Sequence, residues 1–526
     1  MNSVWKKTAM VALAGVFVLT AAGCGGGDKK AAGNETLKVG VMNEADGLEP
    51  ADPDGGRALL RYGLGETLVK FDNNMKTAPW LAESWKMDGD RLTWTFTINS
   101  KATFSNGKRV TAEAVKASLE RTLAKSAEAK GWAMIESMQA DGQRLTIRTK
   151  KPLPGLPGVL CDPRFTVTDT SATDRDMQKM GPVCTGPYMV KSVSGNRTAL
   201  EANPHYWNGP VPFKSVELVS MDAPGARAMA LKKGEVDAAA AVSSGDLALF
   251  KDVQQYRVSE TPSVSSVLAR LNVRPGRALA DKRIREALAV CLDRPAWCKV
   301  LLKDTFIPGG PALAPRLEYG YEELIRSGYC RFDPEKAKKL LAEAGYKKDA
   351  NRDGILDKDG KNLEIDFTFY TSRGELPLFA EAVKSDAKRI GIRINLKPVG
   401  YADWKRAAKT GEYDMLLDYG MTVEAGSPLH YLDRYWKTDT KGSNPQNVSG
   451  YSNPGYDALS DDLALETDPV KQKQGLIAMQ KALLKDTAAI VFGYPKANIV
   501  SRTGITGADV QLCNYYWITK DWKRKE

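Results

Sequence analysis

Histidine is almost missing from this 526-residue chain, which contains only His205 and His430. Two imidazoles cannot build a multi-histidine metal centre from protein ligands alone. Cysteine is sparse as well: there are seven, and no two form a CxxC pair, which argues against zinc ribbons and thioredoxin-like redox centres. No GxSxG elbow, HExxH, GxxxxGK[ST] or helix-opening GxGxxG occurs, so the common signatures of hydrolases, metalloproteases and nucleotide-binding enzymes are absent. Charge of one sign never gathers either. The 75 Lys+Arg and 64 Asp+Glu residues leave +11 spread along the chain, with no compact basic tract of the kind that tracks nucleic acid. Hydrophobic residues at 43% and charged residues at 26% sit near globular averages, which excludes wholesale disorder and a polytopic membrane protein.

The amino terminus carries the sharpest positive signal. Lys6 and Lys7 precede an apolar run from Thr8 to Ala22, followed by Gly23-Cys24. A charged start and a run short of the roughly 20 residues that span a bilayer read as a signal peptide over residues 1–23. Leu19-Thr20-Ala21-Ala22-Gly23-Cys24 resembles a bacterial lipobox, although Ala21 stands where leucine or valine is usual. That resemblance implies cleavage before Cys24 and a lipid on its thiol. Residues 24–35, rich in Gly, Ala and Lys, read as a flexible tether. Lys6 and Lys7 leave with the signal, so +9 of the +11 remains. Outside the cytoplasm the other six cysteines could pair in fifteen ways, among which sequence does not choose. Pro295 breaks the chain between Cys291 and Cys298, ending one helix and opening another, and both thiols are expected to be small core residues.

Helix and strand signals interleave. Leu37 to Met42 and the alternating Leu92, Trp94, Phe96 and Ile98 read as half-buried strands. Thr111 is placed to cap a helix to about Leu123. Leu363, Ile365, Phe367 and Phe369 mark another strand, residues 376–390 a helix, and Ile392, Ile394 and Leu396 a further strand. Asp468-Pro469 opens a helix to about Lys485, and residues 488–494 return as a strand. This alternation predicts an α/β fold. His430 reads as a loop residue. The stretch Asp349 to Gly360 has acids and Asn at EF-hand spacing but glycine where the last, bidentate carboxylate belongs, so a polar turn is expected there.

Several islands carry a wider likeness: Thr67-Leu68-Val69-Lys70-Phe71, Pro79-Trp80-Leu81-Ala82-Glu83-Ser84-Trp85, Phe104-Ser105-Asn106-Gly107, Gly186-Pro187-Tyr188, Asn203-Pro204-His205-Tyr206-Trp207, Gly234-Glu235-Val236-Asp237 and Asp281-Lys282-Arg283-Ile284-Arg285. In this order the chain resembles extracellular solute-binding protein family 5, the substrate receptors of ABC importers for peptides and nickel. The resemblance implies a two-lobed periplasmic-binding-protein fold of type II-like form, with a cleft between lobes and an extra inserted domain. It implies lobe one from residues 36–80, 200–272 and 493–526, the inserted domain from 81–199, and lobe two from 273–492. It also implies ligand capture with hinge closure, delivery to ABC permease subunits, no reaction at this chain and no cofactor. The expected form is an extracytoplasmic monomer, in the periplasm or at the cell surface, anchored to the bacterial membrane by lipid at Cys24.

Within the family, Gly131-Trp132-Ala133-Met134 and Asp162-Pro163-Arg164-Phe165 look like the nickel receptors. That likeness implies that Arg164 grips a chelator carboxylate, that Trp132 packs over the ligand and that Tyr419, before Gly420, stands where the family usually has tryptophan. Arginine suits the task because its planar fork matches a carboxylate bidentately. Three readings stay open: a receptor for a nickel or other metal–chelator complex, a di- or oligopeptide receptor, and a lipid-anchored enzyme or adhesin on the same fold.

Overall fold

The computed structural model describes residues 36–42, 47–223, 225–423 and 426–525. The signal segment, Cys24 and the tether lie outside them. Among the described residues no helix is long and apolar enough to cross a membrane.

Twelve strands join in one sheet whose middle is a single long strand, Ala489–Arg502. Its second part pairs with Ala238–Ala240 and with Tyr256–Pro262. On that side Thr36–Val41 runs parallel to both Ala238–Ala240 and Ser215–Ser220, and the hairpin Tyr188–Ser194/Arg197–Ala202 completes the edge. Its first part pairs with Ser265–Leu271 and Phe306–Pro308. From there the sheet continues through Met415–Met421 to the parallel strands Glu364–Tyr370 and Arg393–Val399. Each side has its own core: Leu37, Val39, Leu218 and Trp517 on one, Val267, Ile365, Phe367 and Leu417 on the other.

One outcome here differs from the sequence reading. The last strand does not stop at Tyr494. Pro495 sits opposite Phe306 and the next residue restores the ladder, Lys496 N donating to Thr305 O at 2.9 Å, so the missing proline N–H is bridged and the strand enters the other side. Ser265–Leu271 takes its hydrogen-bonded partners from Met415–Met421 and from the first part of the long strand. The chain therefore crosses at Ser263–Val264, where Ser263 N donates to Pro495 O and Val264 O accepts from Thr422.

A separate antiparallel sheet of four strands, Ala82–Met87, Thr93–Ile98, Arg144–Thr149 and Ile135–Asp141, packs with the helix Ala112–Lys125. Trp94, Phe96 and Ile98 point inward at every second position, as their alternation predicts. Thr111 caps that helix by accepting from Ala114 N, and Asp468 caps Pro469–Asp486 through Val470 N and Lys471 N. The six described cysteines are unbridged, and five of them, Cys291 and Cys298 included, are buried. In the Asp349–Gly360 turn, Asp349 accepts from Asp353 N and Gly354 N, while Arg393 pairs with Asp353 at 2.8 Å. Those carboxylates hold their own backbone and an arginine.

Candidate functional site

Three short elements bring the expected residues together. Ser126 caps the helix Ala127–Ala133 by accepting from Ala129 N, which puts Glu128 and Trp132, four apart, on one face. Arg164 comes from the 3-10 turn Pro163–Phe165, capped by Asp162. A third element, the helix Pro428–Trp436, begins at the cap Ser427 with proline in its first turn and presents His430 and Arg434, again four apart. His430 is thus a helix residue, not a loop residue. Its ring meets Trp132 edge-on at 4.7 Å.

Arg164 lies at the centre. Its guanidinium stacks on Trp132 at 4.3 Å, with Nη1 3.0 Å from Asp162 Oδ1 and Nη2 3.1 Å from Glu128 Oε2. Arg434 Nη2 approaches the other oxygen of Glu128 at 3.2 Å. Close by, the backbone carbonyl of Gly158 would lie 2.1 Å from a Cβ built on Gly426, whose φ is +68°, so both space and backbone require glycine there. The segment 127–165 and the helix 428–436 are therefore locked in direct contact.

Tyr419 comes from a different element. On the strand Met415–Met421 it carries the Arg373 guanidinium 3.9 Å over its ring. Burial pushes its phenol up to about 12, against the pull of Arg373 and Arg61. Among the described interactions it stacks with Arg373 rather than with Trp132 or Arg164. Its neighbour Asp418 pairs with the buried Arg270 at 2.7 Å, and Arg270 lies 4.6 Å from the ring of Tyr435, next to Arg434. A chain of charge and ring contacts thus runs from Asp418 to the helix that carries His430.

Sequence reading missed Glu128, Asp162, Arg373 and Arg434. Two of them had a signal: the Ser126 and Ser427-Pro428 caps set helices whose i, i+4 pairs are Glu128/Trp132 and His430/Arg434. Among the described residues no group of three or more His, Cys, Asp or Glu is placed to hold a metal ion.

Apart from this junction, one buried carboxylate ties the motif islands together. Glu66 accepts from Trp207 Nε1 at 2.8 Å and from Tyr206 Oη at 3.0 Å. Burial pushes its carboxyl up to about 7.

Residues 76–443 match the family described as "Bacterial extracellular solute-binding proteins, family 5 Middle". The chain belongs to that family. Its members are extracytoplasmic binding proteins that serve ABC importers. This family 5 chain is 25% identical over 506 residues to the nickel-binding protein NikA of Staphylococcus aureus, covering 96% of this chain and 95% of that one. It is also 25% identical over 475 residues to a probable D,D-dipeptide-binding periplasmic protein, DdpA, of Escherichia coli, covering 87% and 88%. The solved structure of Staphylococcus aureus NikA in complex with Ni(L-His)2 superposes with a TM-score of 0.80 at 23% identity, over 94% of this chain and all of that one. At that identity the superposition establishes the mixed α/β periplasmic-binding-protein fold.

Proposed function

We propose that this chain is the lipid-anchored receptor of an ABC importer and that it captures a nickel or other metal–chelator complex and hands it to the membrane permease. The observation that carries the reading is the Trp132–Arg164 pair, a guanidinium stacked on an indole at 4.3 Å where the segment 127–165 meets the helix 428–436. Such a pair offers a planar cation to a chelator carboxylate and a flat surface to its ring. Its nickel-binding relative supports the choice of ligand. The chelator supplies the metal's donors and the protein supplies shape and charge, with no reaction at the chain. Tyr419 and Arg373 form a second aromatic–cation pair available to the same ligand.

Lobe one is assigned to residues 36–80, 200–263 and the end of the chain from about 495, the insert to 81–199, and lobe two to the chain between the two crossings. Closure is by bending at those crossings, Ser263–Val264 and Tyr494–Lys496. The mature protein acts as a monomer tethered through lipid at Cys24 on the outer face of the membrane.

A peptide ligand is the second reading. It is favoured by Glu128, an acid beside Arg164, since a peptide's two termini need one of each charge. Thermal-shift measurements separate the two. Nickel with L-histidine raises the melting temperature under the first reading, and stabilisation by dipeptides alone replaces it with the second. Native mass spectrometry of the purified protein then identifies the retained ligand.

A further inference from the structure

A recess of about 410 Å³ shares none of its lining residues with the Trp132–Arg164 junction or with Tyr419. Its size falls within the roughly 300–1,000 Å³ of small-molecule sites. The helix Pro53–Arg61 presents Ala58 to it, with Tyr62 four residues on and therefore on the same face. Leu64 and the strand residue Leu218 join them, and Ala58, Leu64 and Leu218 are buried and apolar. The walls are tied in place. Asn196 Nδ2 donates to Ser220 O at 3.0 Å and Ser220 N donates to Asn196 O at 2.8 Å, which fixes the hairpin turn to the end of the strand Ser215–Ser220. A Cβ built on Gly47 would meet Gln178 Oε1 at 1.7 Å, so the stretch around residue 178 packs directly on Gly47.

The outer lining differs in kind from this apolar floor. Val193 is an exposed apolar side chain, and Lys179 is exposed, its backbone N–H held by Asp176 Oδ1 at 3.2 Å. Among the described residues Lys179 makes no ion pair, while Asp222, an acid on the same lining, is engaged in an interaction of its own. An ammonium with no carboxylate partner beside buried apolar side chains matches a solute that carries a carboxylate on an apolar body. The body covers the floor, and the carboxylate pairs with the ammonium.

We propose that this recess is an accessory binding site for a small monocarboxylate whose apolar body is the size of a leucine side chain. The site is independent of the metal–chelate reading. The test is isothermal titration of the full mature chain with 4-methylpentanoate and its uncharged counterpart 4-methylpentan-1-ol, in wild type, Lys179→Ala, Val193→Asp and Trp132→Ala. Wild type is expected to bind the carboxylate about tenfold or more tightly than the alcohol, as a charge-assisted hydrogen bond should provide. Lys179→Ala should bring the two affinities together. Val193→Asp should weaken the carboxylate selectively, because it adds a like charge to the lining, and Trp132→Ala should leave both probes unchanged. Lys179 and Val193 are exposed, so their substitutions spare the core, and melting temperatures confirm folding. No binding of 4-methylpentanoate by wild type, equal affinity for acid and alcohol, or an undiminished preference in Lys179→Ala overturns the proposal. Loss of the carboxylate probe in Trp132→Ala would put that probe at the Arg164 junction and overturn the accessory site as well.

Discussion

Glu66 and Arg164 are both buried ionisable groups at places where distant segments meet, and their surroundings are opposite in kind. Around Glu66 the hydrogen-bonding partners are neutral, an indole N–H and a phenol, so burial dominates and the carboxyl rises to about 7. Around Arg164 the partners include two carboxylates and a π face, so the charge is matched where it sits. The contrast teaches that the first region joins motif islands of the fold at the expense of an acid held near neutrality. The second holds its charge by pairing it across segments.

The comparison breaks first at Arg164. Arg164→Ala leaves Asp162 buried without its cation and should lower stability by about 3–5 kcal/mol in urea unfolding. Adding Asp162→Asn should recover much of that loss, and no recovery would show that Asp162 is not the group left stranded. Next comes Glu66. Its folded value of about 7 against an ordinary 4.5 means that folding favours the protonated form. Its contribution is therefore complete below 4.5 and is lost as pH rises from there through about 7, on the order of 3 kcal/mol. Burial also raises Asp433, to about 6 from 3.8, and its loss runs in the same direction over that lower window. The difference between wild type and Glu66→Gln isolates Glu66: unfolding at stepped pH should show a flatter profile in the variant, and parallel profiles would place Glu66 in an ordinary carboxylate environment.

Trp132→Ala sharpens the other side. Removing the ring under Arg164 should weaken ligand binding by about fivefold, the worth of a cation–π contact near 1 kcal/mol, read by titration with Ni(II) and L-histidine. Equal binding would return Trp132 to a packing role. The smallest effect is expected at Glu49. Burial works to raise its carboxyl, but hydrogen bonds from Arg121 and Lys125 prevail and hold it at about 2. Its contribution is present above 4.5 and lost as pH falls through about 2. Because the cluster is partly open to water, Glu49→Gln should cost less than about 1 kcal/mol at neutral pH, with the difference vanishing in acid. A larger cost would mean that this cluster is shielded as the Arg164 junction is.

Local features were legible because local physics sets them. The Thr93–Ile98 strand follows from a period of two, and the starts of Ala112–Lys125 and Pro469–Asp486 follow from a threonine and an Asp-Pro cap that satisfy free N–H groups. The motif islands carried the family, and with it Arg164 and Trp132 as a candidate pair. Reading His430 as a loop residue overlooked the same kind of cap, at Ser427-Pro428.

By itself the sequence determined the alternation of elements, the helix caps and the family, because each depends on neighbours a few residues apart or on motif order. Only the tertiary structure decided that the last strand continues past Pro495 and that Ser265–Leu271 pairs on the far side of the crossing. It alone decided that Glu128 lies between Arg164 and Arg434. Those outcomes depend on hydrogen bonds and ion pairs between segments far apart in the chain, and their geometry exists only once both cores have packed.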